Sequence, residues 1–259
     1  EDLAGGVYEP DGGYIDVTKM VLSWLGAATG RGLELKSGLR VDAIETSGTR
    51  VTGVRTSQGC IQAPLVINAT GAWARDLLSP LGVEVPVERR RLDMAYMCQP
   101  PARAQIGTCI TDGNSNVVIR PHMGREILVA AYLPEMPIVE DPLANEPLHD
   151  HAAHRERIVK ALAERLPDFQ DAALTRTVSG AYDVTPDFHP ILGWTPGIEG
   201  LYLAVGFSGH GLKLSPGIGE CVAGAVLDET MPFDVTPLRL ERFTEGEPMF
   251  LAYGPSARA

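Results

Sequence analysis

No apolar run in the 259 residues approaches the ~20 needed to cross a bilayer, which excludes a spanning helix within this sequence. Basic residues are scarce: 22 Lys and Arg face 33 Asp and Glu, for a formal charge of −11. A surface built to neutralise phosphates needs clustered cations, and the one tight basic run is Arg89-Arg90-Arg91, so no nucleic-acid partner is expected. The cysteines are only Cys60, Cys98, Cys109 and Cys221, with no CxxC pair, which argues against a disulfide framework or a zinc knuckle and for reduced thiols in a cytoplasmic setting. There is no internal repeat or low-complexity tract. The opening Glu1-Asp2-Leu3-Ala4-Gly5-Gly6 lacks an initiating Met, a basic n-region and an apolar h-region, and reads as a cut within a longer chain.

What is present is a mixed globular sequence, 44% hydrophobic and 21% charged, long enough for one large core or two smaller ones of ~100 to 200 residues. Val17, Met20, Val21, Trp24 and Leu25 fall at helical spacing and predict an amphipathic helix over 17–28, packed on a sheet and ending near Gly30 or Gly32. Leu39 to Glu45 and Arg50 to Thr56 read as strands around the turn Ser47-Gly48-Thr49. Leu65 to Asn68 is a compact apolar strand that enters the glycine turn Ala69-Thr70-Gly71-Ala72-Trp73, followed by a helix over 74–81, the layout of a nucleotide-handling crossover. From Val83 to Ala131, candidate strands at 92–98, 116–120 and 127–132 predict an antiparallel sheet. Ile158, Leu162 and Leu166 at i, i+4, i+8 predict a helix over 150–166 stopped by Pro167. A strand at 174–182 and the apolar strand 201–205 follow, and 244–259 reads as a loose tail.

The strongest chemical signal is Gly206-Phe207-Ser208-Gly209-His210-Gly211-Leu212-Lys213, which follows a strand and opens a helix reaching to about Leu227. Glycines let backbone approach a flat ligand, and the free N–H groups of a helix start favour negative charge beside them. Lys213 adds a formal positive charge at the same place. Read from the residues alone, such a turn is also compatible with a helix start held by packing glycines.

The segment resembles the C-terminal flavin-binding signature of the D-amino-acid oxidase and sarcosine oxidase superfamily of FAD-dependent oxidoreductases, which includes glycine oxidase and dimethylglycine dehydrogenase. The resemblance extends to 180–193 (Gly-Ala-Tyr-Asp-Val-Thr-Pro-Asp-Phe-His-Pro-Ile-Leu-Gly), to 66–73 (Val-Ile-Asn-Ala-Thr-Gly-Ala-Trp), and to Gly5-Gly6-Val7-Tyr8 and Gly12-Gly13-Tyr14-Ile15-Asp16, although Val17 stands where that family often has proline. It implies an α/β (α+β) fold: a partial FAD-binding, Rossmann-like domain over 1–85 and 196–235, an inserted antiparallel-sheet substrate domain over 86–195, and a tail over 236–259. It also implies oxidation of a small amine or amino acid (sarcosine, glycine, dimethylglycine or a D-amino acid) by hydride transfer to flavin N5. The family's Gly-x-Gly-x-x-Gly fingerprint is absent, so FAD binding is expected to need a complementary N-terminal polypeptide or subunit.

Residue roles follow from the resemblance. Lys213 corresponds to a lysine at the flavin pyrimidine edge and near the substrate carboxylate; His210 would donate to the flavin or shape the pocket; Tyr182 would line the substrate cavity. Arg120 is a candidate by position: at a strand end in the presumed substrate layer, its guanidinium would clamp a carboxylate or, on the other reading, form a surface salt bridge. Thr70, Gly71 and Trp73 would contact the cofactor, as would Gly206, Phe207, Ser208, Gly209, Gly211 and Leu212, and the backbone of Val41 would meet the adenine. The sarcosine oxidase branch tethers its flavin through a cysteine two places before the tyrosine; Gly180 stands there, so the FAD is expected to be noncovalent at that position.

Three other readings are weighed. A Ser208, His210, Asp183 or Asp187 hydrolase fails because a nucleophile elbow needs Gly where His210 stands. A metal site at His149, Asp150, His151 and His154 is weaker than the entry of a polar helix, and no metal is expected. The alternative function is a noncatalytic binding or structural half of a heteromeric or nicked dehydrogenase.

Overall fold

The computed structural model describes residues 3–101, 105–131, 138–139, 152–169 and 172–249. In chain order these form α1 (Val17–Thr29), β1 (Val41–Ser47), β2 (Arg50–Thr56), β3 (Gly59–Gln62), β4 (Val66–Asn68), α2 (Ala74–Leu78), β5 (Glu88–Cys98), β6 (Ile110–Asp112), β7 (Val117–Pro121), β8 (Glu126–Ala131), α3 (Ala152–Arg165), β9 (Ala173–Val184), β10 (Ile191–Trp194), β11 (Leu201–Val205) and α4 (Gly211–Leu227). The mixed α+β class expected from the sequence is the one observed. The chain divides into two compact units, one of 1–16, 90–181 and 256–259, the other of 17–89 and 182–255.

In the second unit, β1, β2 and β3 form an antiparallel meander with Val41 opposite Thr56 and Ser47 opposite Arg50. Beside it stands a three-stranded sheet in the order β10-β11-β4, antiparallel between β10 and β11 and parallel between β11 and β4, with Leu201 opposite Val66 and Leu203 opposite Asn68. All five residues of β11 are buried, the sign of a strand covered on both faces. Leu201, Leu203 and Val205 join Ile44, Val51, Leu78 and Val85 in one core, whereas Ala204 packs with Leu192 and Cys221 of α4 in another. Period-2 alternation therefore splits one short strand between two cores.

α1 corrects one expectation. It forms where the periodicity places it, but none of its residues is buried, and Val21, Leu22 and Trp24 are exposed. Helical periodicity specifies an apolar stripe without supplying the surface that covers it. β4 is likewise a sheet edge, with Ile67 42% exposed.

In the first unit, the sheet order is β6-β7-β8-β5-β9. Alternate residues Ala95 and Met97, Val117 and Ile119, Ile127 and Val129 point to one face and meet Ile158 and Leu162 of α3 with Phe169. The i, i+4 pair is the one that sequence periodicity selects. β6 was not expected; its three residues lie between Gly107 and Gly113, too short to show alternation. Tyr132, read as the end of the β8 strand, and His149, Asp150, His151 and the His154 side chain lie outside what is described. Among the described residues no cluster suits a metal ion, and no helix is long and apolar enough to cross a membrane.

Asp112 ties β6 to α3. Burial alone would raise its pKa, but hydrogen bonds from Arg165, the Ser115 hydroxyl and the Asn114 and Ser115 amides dominate and hold it at about 2, below the ordinary 3.8. A depressed carboxylate contributes stability that is complete above the ordinary value and is lost as pH falls toward the folded one. The protection of α3 amides, taken relative to their intrinsic exchange rate, is therefore expected to fall between about pH 4 and pH 2, and Arg165→Met should remove most of that dependence at a cost of about 2 kcal/mol. An unchanged acid limb in Arg165→Met would refute this assignment.

Candidate functional site

The site grows from the C-terminal end of β11. There the chain turns through Gly206 (φ 73°), Ser208 (φ 52°) and Gly209 (φ 85°) before α4 begins. A Cβ on Gly206 would stand 2.5 Å from Thr185 Cγ2, and one on Gly209 would stand 2.6 Å from the Tyr182 ring. Both glycines are thus required by left-handed backbone and by protein packed directly against them. Tyr182, Thr185 and the 206–209 turn form one tight assembly, which places the expected Tyr182 beside the expected loop.

Asp183 holds this assembly. Its Oδ2 accepts the Gly206 amide at 2.8 Å and the Phe207 amide at 3.1 Å, and its carbonyl accepts the Ser208 amide at 3.0 Å. The His210 amide donates to the Phe207 carbonyl at 2.8 Å. Four of the loop amides that sequence reasoning aims at a ligand are therefore engaged within the chain. Burial raises the Asp183 pKa despite the opposing backbone hydrogen bonds. Sequence reasoning quoted Asp183 within the 180–193 segment and gave it a role only in the rejected hydrolase reading; an acidic residue ending a strand beside a glycine turn was the available signal.

The donors that remain belong to α4. His210 occupies its N-cap position without a side-chain cap, and the first ladder bond runs from the Leu214 amide to the His210 carbonyl at 3.3 Å. The Gly211 and Leu212 amides precede that ladder, at the positive end of a 17-residue helix. Inside the helix, Pro216 cannot donate to the Leu212 carbonyl, and the Ser215 hydroxyl takes that carbonyl instead at 2.6 Å. Lys213 lies in the first turn, where the helix contains no acidic residue and its dipole disfavours a cation. Partial burial lowers the Lys213 pKa.

A second turn contributes from β4. The Asn68 Oδ1 accepts the Thr70 amide at 3.1 Å and the Thr70 hydroxyl at 2.7 Å, an Asx-turn that fixes the chain as it leaves the strand. Gly71 follows at φ 53°, its open side facing Asp183 Oδ2 at 3.6 Å from a hypothetical Cβ. Trp73 is 40% exposed, and Arg89 donates from Nε to the Ala72 carbonyl. Gly71, with Thr70 and Trp73 close to it in sequence, thus adjoins the 206–208 backbone through Asp183, in keeping with the parallel pairing of β4 and β11. Val41 stands apart, at the start of β1 in the other sheet of this unit.

Arg120 belongs to the first unit, on β7. Its guanidinium stands 5.7 Å from the Tyr14 ring centroid and donates weakly to the Ile15 carbonyl at 3.5 Å, while its Nε is buried without a partner. Ser208 Oγ is buried and bonded to Thr185, which removes any resemblance to an exposed nucleophile.

The expected cofactor can be tested against this donor set. A flavin ring needs amide donors and positive charge along its electron-rich pyrimidine edge and apolar or aromatic surface against its faces. The Gly211 and Leu212 amides, Lys213 and the exposed Trp73 ring are of that kind. The part of FAD beyond the ring is held, in a dinucleotide-binding fold, by a Gly-x-Gly-x-x-Gly fingerprint between strand and helix, and that fingerprint does not occur in this sequence.

Comparison with known proteins agrees. The family model described as FAD dependent oxidoreductase matches residues 1–225. The chain is 31% identical to D-amino acid dehydrogenase of Paramagnetospirillum magneticum, over 94% of this chain and 55% of the relative. It is 29% identical to 4-methylaminobutanoate oxidase (formaldehyde-forming) of Paenarthrobacter nicotinovorans, over 93% of this chain and 30% of that protein. Among solved structures, glycine oxidase from Geobacillus kaustophilus superimposes with a TM-score of 0.72 at 26% identity, covering 83% of this chain and 55% of that one. L-proline dehydrogenase from P. horikoshii shares the fold with a TM-score of 0.79 at 24% identity, over 90% of this chain and 61% of that chain. The chain thus spans from less than a third to about three fifths of the proteins it matches. With the match running over most of its length, the chain belongs to the FAD dependent oxidoreductase family.

Proposed function

We propose that this chain is the flavin-ring and substrate part of an enzyme that oxidises a small amine or amino acid, and that FAD binding requires a complementary N-terminal polypeptide or subunit. The observation that carries the reading is the start of α4, where the Gly211 and Leu212 amides precede the helical ladder and Lys213 lies in the first turn, directly after a 206–208 backbone that Asp183 ties to Gly71. When bound, FAD supplies the hydride acceptor. The chain's own residues bind and orient: Gly211, Leu212 and Lys213 stabilise negative charge at the ring's pyrimidine edge, Thr70, Gly71 and Trp73 line it, and the Val41 backbone meets the adenine. His210 and Tyr182 shape the substrate cavity, and Arg120 receives the substrate carboxylate. We assign FAD binding to 1–85 and 196–235, substrate binding to 86–195, and noncovalent attachment at Gly180. The names of the relatives given above point to 4-methylaminobutanoate, D-amino acids and glycine as their substrates, which supports that substrate class.

The complementary polypeptide is supported by uncovered surface. α1 has no buried residue, β4 is an open parallel edge, and the Asn68 Nδ2 is buried without a partner. Purified alone, the chain is expected to be colourless; mixed with a polypeptide supplying the glycine-rich motif, its FAD affinity should rise at least roughly a hundredfold, about 2.7 kcal/mol. Glycine, sarcosine, dimethylglycine, proline analogues and D-amino acids are then assayed by flavin bleaching. Yellow protein from the chain alone would disprove the need for a second polypeptide. A yellow assembly that none of these substrates bleaches would favour the noncatalytic role.

A further inference from the structure

Arg242 is the largest fully buried side chain among the described residues, with 0% of its surface exposed, and lies 29 positions beyond Lys213. Its five N–H donors are all taken. Nε and Nη2 grip the two oxygens of Asp187 at 2.8 and 3.0 Å, Nη2 also reaches the His189 carbonyl at 2.9 Å, and Nη1 reaches the Leu238 and Arg239 carbonyls at 2.8 and 3.1 Å. Asp187 completes its shell with the His189 amide at 3.1 Å and the Met249 amide at 3.0 Å. The segment 244–249, expected to be loose, is thereby anchored through Met249; the residues after it lie outside the described ones. An ion pair so completely satisfied is held to one geometry.

That geometry is passed on toward the flavin-facing turn. The His189 carbonyl held by Arg242 also accepts the Thr185 hydroxyl at 2.8 Å, and the Thr185 amide donates to Ser208 Oγ at 3.2 Å, with the two side-chain oxygens 3.3 Å apart. Ser208 Oγ donates in turn to the Gly206 carbonyl at 3.2 Å. Backbone conformation shows what this chain of bonds is holding. Of four described non-glycine residues with positive φ, two sit at its ends: Phe188, at φ 59° within the Asp187 turn, and Ser208, at φ 52° within the β11–α4 turn. Side chains in that region persist only where the surroundings over-determine them.

We propose that Arg242 is a positioning residue for the cofactor turn, fixing the 206–209 backbone through Asp187, His189, Thr185 and Ser208 although it touches neither cofactor nor substrate. The inference rests on the reading of that turn as flavin-facing, but its mechanical half does not. The test uses the 259-residue chain and, separately, its FAD-binding assembly. Arg242→Lys keeps the charge and loses the fork. It should raise hydrogen exchange at the Gly206, Phe207 and Ser208 amides by at least about tenfold, while the β1–β2 amides keep their protection. Thr185→Val cuts the path midway with little change of volume, and should loosen the same three amides while the Met249 amide stays protected. It serves where Arg242→Lys fails to fold. In the assembly, both variants should weaken FAD binding by about tenfold, whereas Arg165→Met, which lowers stability in the other unit, should not. Exchange at 206–208 that is unchanged in both variants, or raised equally everywhere, would overturn the positioning role. Loosened amides with unaltered FAD affinity would leave the mechanical link standing and overturn its bearing on the flavin.

Discussion

Replacing Lys213 by Met in the assembled enzyme is expected to cut kcat/KM by roughly 100-fold or more while leaving the melting temperature within a few degrees of wild type. An ammonium in the first turn of α4 opposes the helix dipole and loses hydration, which is why its pKa is lowered by burial. Lys213 is exposed along part of its length and keeps contacts within the chain, so its removal is expected to change stability by less than about 1 kcal/mol. The benefit comes where negative charge develops on the flavin ring or sits on a substrate carboxylate. Activity that needs the ammonium should decline on the alkaline side at a pH below the ordinary lysine range, since the lowered pKa brings deprotonation earlier. Lys213→Arg retains the cation and should move that limb upward. Turnover unchanged in Lys213→Met, or lost only in step with folding, would remove Lys213 from the site.

How much of this was legible beforehand can be judged from particular residues. The α1, β1, β2, β4, β11 and α4 segments were readable because each carries a period or a glycine stop that local physics imposes, and the 158/162 pair was readable because helix geometry stacks i on i+4. β6 is too short for a period. β10 hid inside a segment noticed for its motif. The lack of burial on α1 was illegible for a different reason, because a sequence encodes an apolar face and not the element that covers it. At the site, Lys213 and the glycines were found by type and spacing. What the glycines pack against was not, since Tyr182 and Thr185 approach Gly209 and Gly206 through a β9–β11 juxtaposition more than 20 residues apart in sequence. Asp183 and Arg242 share that property: each acts through partners that only the folded chain brings near.

Asp183 gives the second large effect. Because Gly206 and Phe207 donate to one and the same oxygen, Asp183→Asn can keep both bonds by presenting its amide carbonyl there, whereas Asp183→Ala leaves two turn amides without an acceptor. The Ala variant is expected to lose about 3 kcal/mol and the Asn variant less than about 1 kcal/mol. The pH dependence separates charge from hydrogen bonding. Burial raises the Asp183 pKa above the ordinary 3.8, so the folded state favours the protonated acid, and stability is lost as pH rises from the ordinary value through the folded one. Asp183→Asn has no proton to release and should melt without that decline, so the gap between Asn and wild type should widen in favour of Asn across this window. Urea unfolding followed by tryptophan fluorescence reports on the right region, because Trp24, Trp73 and Trp194 all belong to the unit that holds Asp183. If Asn and Ala destabilise equally, the carboxylate is not acting as the acceptor that organises the turn. If wild type and Asn follow parallel pH curves, burial is not what governs its titration.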